Sequence, residues 1–112
     1  MDFTVKQIGL TAVVNTNVEK LNVINAADLK GELASLNKKS INNIVIDMTK
    51  TKYCDSSGLS AILLANRLCK DTNGKFILCG LQTNVQKLIE IAQLDRVLSI
   101  VKDEKSALEL IA

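Results

Sequence analysis

"NNIVIDMTKTKYCDSSGLSAILLANRLCK", residues 42–70, decides how this chain folds. Its first part holds the unbroken apolar run Ile44-Val45-Ile46, which fits a strand covered on both faces, as in a parallel sheet. Its last part, from about Ser57 to Asp71, has the length and apolar content of a helix. Between them stands Asp55-Ser56-Ser57-Gly58. Strand, loop and helix in that order make half of a crossover unit. The loop then falls at the carboxyl end of a strand, where ligand sites of such sheets collect and helix N-termini point outward.

Working outward, "FTVKQI" (3–8) and "LTAVVNT" (10–16) flank Gly9 and read as an antiparallel hairpin. "VEKLNVI" (18–24) is ambiguous, a third short extended piece being one reading. "NAADLKGELASLNKK" (25–39) predicts a helix opening at Asn25, a good N-cap, with Ala26, Leu29, Leu33 and Leu36 on one face. Downstream, Asn73-Gly74 stops the helix and "KFILCGL" (75–81) is a second buried strand. "TNVQKLIEIAQL" (83–94) carries Thr83 and Gln86 at capping-box spacing and repeats Val85, Leu88, Ile89 and Ala92 with helical period. "VLSIV" (97–101) is a short strand, and Asp103 opens a last helix over 104–112. The order predicts an α/β fold: a mixed sheet of about four to five strands, an N-terminal hairpin followed by alternation, and about four helices packed on it.

Composition narrows the function. A chain of 112 residues, 47% hydrophobic and 23% charged, is expected to be one soluble globular domain over 1–112. With a net charge of +2 and only Phe3, Tyr53 and Phe76 as aromatics, no nucleic-acid surface is announced. No apolar run approaches the roughly 18 residues of a membrane span. The start, "MDFTVKQIGL", lacks the features of a secretion signal. Cys54, Cys69 and Cys79 are odd in number and have no Cys-x-x-Cys spacing, as in reduced thiols of a cytoplasmic protein, two of them core packing. The chain has no His, so Ser-His and Cys-His pairs cannot form within it, and the common His-containing zinc sites are disfavoured. No metal or other cofactor is expected.

On a helix turning roughly 100° per residue, Ser60, Asn66, Arg67, Lys70 and Asp71 share a solvent arc. Ala61, Leu64, Ala65, Leu68 and Cys69 lie opposite, with Ile62 at the margin. Leu59 and Leu63 fall inside the polar arc, directly beyond the serines. Either neighbouring elements cover them, or they form a small docking strip.

The two serines allow three roles. Asp and Ser are preferred N-caps, each worth about 1 kcal/mol. Nucleophilic catalysis is disfavoured: there is no Gly-x-Ser-x-Gly elbow and no histidine base, and nothing assembles a site around Asp55. Phosphate acceptance suits a helix N-terminus, whose free N–H groups and positive dipole end tolerate the roughly −1.5 to −2 charges added.

The succession from the strand at residue 43 through "YCDSSGL", the Gly-bearing turn, "FILCG", "VQKLIEIAQL" and the final "DEKSAL" resembles the bacterial anti-sigma factor antagonists, built on the STAS domain. The match runs in order and spacing over residues 43–112, more loosely over the whole chain. The resemblance implies a STAS-type sheet and a partner switch without enzymatic activity. The unphosphorylated antagonist binds an anti-sigma factor that is also a serine kinase, and frees the sigma factor. Phosphorylation at Ser56, with Ser57 the second choice, ends the complex, and a phosphatase resets it. The implied contact residues are Asn22, Asp55, Ser56, Ser57, Gly58, Leu59, Leu63 and Arg67. Asn22, in Glu19-Lys20-Leu21-Asn22, stands where the family usually has an acid. Thr51 and Lys52 make the loop before the motif more polar than is usual. The alternative is a STAS scaffold that is never phosphorylated, as a subunit of a lipid transporter or signalling complex.

Overall fold

The computed structural model describes residues 2–112; the first residue of the expected 1–112 unit lies outside them. The chain runs β1 (Phe3–Ile8), β2 (Thr11–Thr16), β3 (Lys20–Leu21), α1 (Ala26–Lys38), β4 (Asn43–Asp47), β5 (Tyr53–Cys54), α2 (Ser56–Asp71), β6 (Phe76–Cys79), α3 (Thr83–Ile91), β7 (Ser99–Val101) and α4 (Glu104–Ile111). Among the described residues one five-stranded sheet has the order β1-β2-β4-β6-β7. The hairpin pair is antiparallel and every later pair in that sheet is parallel. Gly9 turns the hairpin at φ +62°, a left-handed value that glycine adopts without penalty.

Side chains alternate across the sheet, and each central strand feeds two cores. Ala12, Val14, Ile44, Ile46, Phe76 and Leu78 pack with α1, α2 and α3 on one face. Val13, Val45, Ile77 and Cys79 pack with Ala107 of α4 on the other. That two-sided cover is why the central strands read as continuous apolar runs. Leu29, Leu33, Ile44, Ile46 and Leu78 are fully buried, each contributing about 1.5–3 kcal/mol of transfer free energy. No described helix is long and apolar enough to cross a membrane.

Several local expectations are corrected. Asn25 occupies the N-cap position of α1 but makes no capping bond. Its side chain reaches backwards: Oδ1 accepts from Asn22 N at 2.9 Å and Nδ2 donates to Lys20 O at 2.8 Å. The Thr83–Gln86 capping box does not form either. Gln82 is the cap residue of α3 and gives its amide to Thr49 O at 2.7 Å, while the Gln86 amide goes to Glu90 Oε2 at 3.2 Å. The α2 stop is as expected: Asn73 has φ +59°, Asn73 N donates to Lys70 O, and Gly74 N donates to Cys69 O at 2.7 Å, a Schellman ending. Asp103 caps α4 by accepting from Ser106 N at 2.8 Å.

Candidate functional site

The loop 48–55 is sewn to the segment 16–21 by backbone and side-chain bonds. Glu19 O accepts from Lys52 N at 2.8 Å and Tyr53 N at 3.0 Å, and Leu21 O accepts from Asp55 N at 3.1 Å. Lys20–Leu21 and Tyr53–Cys54 thereby form a parallel pair of their own. Thr51 anchors the same joint. Its hydroxyl donates to Val18 O at 2.8 Å and lies 2.7 Å from Thr16 Oγ1. Thr51 is fully buried, so this loop residue is a structural peg and adds nothing to surface polarity. Lys52 is exposed, as its type suggests.

This joint carries the segment ending in Asn22 to the start of α2. Asn22 is half-buried and holds the turn into α1, its Oδ1 accepting from Ile24 N at 3.0 Å. The helix begins one residue earlier than expected, at Ser56, and Asp55 is the residue that caps it, accepting from Gly58 N at 3.0 Å. Ser56 is exposed, and its hydroxyl has no hydrogen-bond partner among the described residues. Ser57 is half-buried. Gly58 is buried: a Cβ there would come within 2.6 Å of Cys54 Sγ and 2.7 Å of Leu21 O.

Downstream of Ser56 the core stripe of α2 is Gly58, Ala61, Ile62, Ala65 and Cys69. Ile62, expected at the margin, is fully buried, while Leu64 and Leu68, expected in the core, are half-buried. Leu59 is half-buried and packs on the core, whereas Leu63 is 37% exposed. Together with Ser56, Ser60 and Arg67 of α2, Leu59, Leu63 and Leu64 line a groove of about 470 Å³. Its other wall contributes Lys30 from α1, which packs against α2. Of these, the sequence placed Ser60 on the solvent arc and Leu64 in the core without assigning either to the site, and it gave no role to Lys30. Lys30 follows Leu29 at the border of the apolar face of α1, a weak sign without knowledge of which helix lies alongside.

The electrostatics are simple. No acid lines the groove, and neither Lys30 nor Arg67 has an ion pair among the described residues. Lys20 Nζ lies 5.9 Å from the centre of the Tyr53 ring, a cation–π contact beside the loop. Burial, and secondarily the charge of Asp55, pushes the Cys54 thiol up to about 12, so at neutral pH it is not a thiolate nucleophile. Among the described residues no three His, Cys, Asp or Glu side chains converge as a metal site. The arrangement offers a free hydroxyl at a helix start, followed by an apolar strip between two cations.

Comparison with known proteins gives a consistent result. BtrV of Bordetella bronchiseptica, a provisionally named anti-sigma factor antagonist, is 32% identical over 72 residues, covering 64% of this chain and 62% of its own length. The alignment thus spans less than two thirds of that relative. The crystal structure of a Thermotoga maritima protein, also provisionally named an anti-sigma factor antagonist, superposes with a TM-score of 0.90 at 23% identity, covering 97% of this chain and 93% of that one. The Bacillus cell-fate determinant SpoIIAA, solved in its phosphorylated form, superposes with a TM-score of 0.77 at 16% identity over 98% and 99% of the two chains. The STAS domain family matches residues 2–107, which is the whole sheet and all of its helices except the end of the last. By that match and by its fold, this chain belongs to the STAS domain family.

Proposed function

We propose that residues 1–112 form one STAS domain that acts as a non-enzymatic, cytoplasmic anti-sigma factor antagonist, switched by phosphorylation at Ser56. Unmodified, it binds a serine-kinase anti-sigma factor through the start of α2, the Leu59–Leu63–Arg67 strip and the Asn22 turn, and so frees the sigma factor. The kinase transfers a phosphoryl group from a nucleoside triphosphate to Ser56 Oγ. The O–P bond forms, the bond to the diphosphate leaving group breaks, and the hydroxyl proton is lost. A phosphatase restores the hydroxyl by hydrolysis, giving inorganic phosphate.

The observation that carries this reading is the division of roles between neighbours. Asp55 caps α2, and Ser56 Oγ is exposed without a partner among the described residues. A phosphoryl group can therefore be added without removing any bond the fold uses, and its effect is felt at a partner. The names of the relatives and the phosphorylated form of SpoIIAA point the same way. A buried, unpaired charge at an interface costs about 2–5 kcal/mol, a factor of roughly 30 to several thousand in affinity.

The test is capture of the cognate kinase-type anti-sigma factor by Ser56→Ala and Ser56→Asp, with phosphopeptide mapping of wild type after incubation with kinase and ATP. Ser56→Ala is expected to bind constitutively, Ser56→Asp to lose binding, and the phosphate to map to Ser56. Equal binding by both variants overturns the proposal.

A further inference from the structure

Resting on that reading, we propose that Lys30 is the residue whose ammonium pairs with the phosphoryl group carried on Ser56. It thereby withdraws one of the two cations of the groove at the moment negative charge is added there.

The placement of charge supports this assignment. Lys30 and Ser56 line the same groove from facing helices. Arg67 lies eleven residues along α2, about 16 Å at 1.5 Å per residue, too far to serve a group on Ser56. The acids of α1 do not compete: Asp28 and Glu32 line a different hollow, beside Phe3. Asp55, next in sequence, is bonded to Gly58 N and repels a phosphoryl group, and Lys20 is held over the Tyr53 ring. Lys30 is half-buried and has no ion pair among the described residues. A flexible four-carbon stem with a free ammonium on the opposite wall can turn toward a new dianion without backbone movement. The unmodified groove presents two cations around leucines, whereas the modified groove presents one free cation and, at the serine, an ion pair that still carries about −0.5 to −1 charge.

The experiment uses the full chain with phosphoserine installed at position 56 during translation, so it does not depend on any kinase acting on this protein. The phosphorus NMR signal is titrated with pH. A cation at contact or near-contact distance is expected to lower the second phosphate ionisation by roughly 0.5–1 unit. Lys30→Gln should raise it by that amount, Lys30→Arg should keep it low, and Arg67→Gln should leave it where it is. A titration midpoint unchanged by Lys30→Gln, or moved equally by Arg67→Gln, overturns the assignment. Because the phosphate is installed, that failure is distinct from failure of the switch itself, which the Ser56→Ala and Ser56→Asp capture experiment reads.

Discussion

The carbonyl oxygen of Leu21 lies 2.7 Å from the point that a Cβ on Gly58 would occupy. The short strand β3 is thus pressed against the first turn of α2, with Cys54 Sγ closing the same gap at 2.6 Å. Glycine is required at position 58 for space: a main-chain carbonyl held in a strand pair cannot step aside. Gly58→Ala is expected to destabilise the protein by about 1–3 kcal/mol, as overpacking does. Urea unfolding measures this directly, with Ser60→Ala on the exposed arc of the same helix as the control, expected within about 0.5 kcal/mol of wild type.

Thr51 makes a second prediction. Its hydroxyl bridges Val18 O and Thr16 Oγ1 in a fully buried position. Thr51→Val keeps the shape and leaves both partners without that bond, at a cost of about 1–3 kcal/mol. Thr51→Ser retains the hydroxyl and should recover most of it. If Thr51→Val unfolds at the wild-type urea midpoint, the bridge is not what fastens the loop to the end of β2.

The thiols supply a pH dependence with a definite sign. Burial raises Cys54 and Cys79 from 9.0 to about 12 and Cys69 to about 11. The folded chain therefore keeps protons that the unfolded chain releases. Their contribution to stability is complete below pH 9 and is lost as pH rises through the folded values. Cys54→Ala should flatten part of the alkaline fall in unfolding free energy. With Ellman's reagent at pH 8, native Cys54 should react at roughly a thousandth of its rate in urea, in proportion to its thiolate fraction. Rapid labelling of Cys54 in the folded protein would contradict the desolvation of this half-buried thiol beside Gly58.

The parts of the fold that could be read from the sequence are those written in local periodicity. The hairpin around Gly9, the apolar runs of β4 and β6, the helical repeat through Val85 and Ile89, and the Asp103 cap each depend on residues within a turn or two of one another. What the sequence did not reveal depends on distant partners. Gln82 turned to the carbonyl of Thr49, an acceptor at hand only in the folded chain, whereas Gln86 chose Glu90, a local partner one helical turn on that competed with the capping box. Lys20–Leu21 and Tyr53–Cys54 are each too short to carry a strand pattern, and they exist as strands because they meet. The candidate site divides in the same way. Ser56, Leu59, Leu63 and Arg67 follow from one helix and its period, whereas Lys30 belongs to the groove only because α1 lies beside α2.

The division of duties at the head of α2 has an evolutionary consequence. Position 55 answers to the architecture, whereas position 56 is exposed and carries no bond of the fold among the described residues. On the switch proposed above, substitution at the second residue mutes or jams the signal while the scaffold is spared, so descendants of such a gene could drift from switch to permanently engaged or permanently silent component in a single step, without first losing the ability to fold.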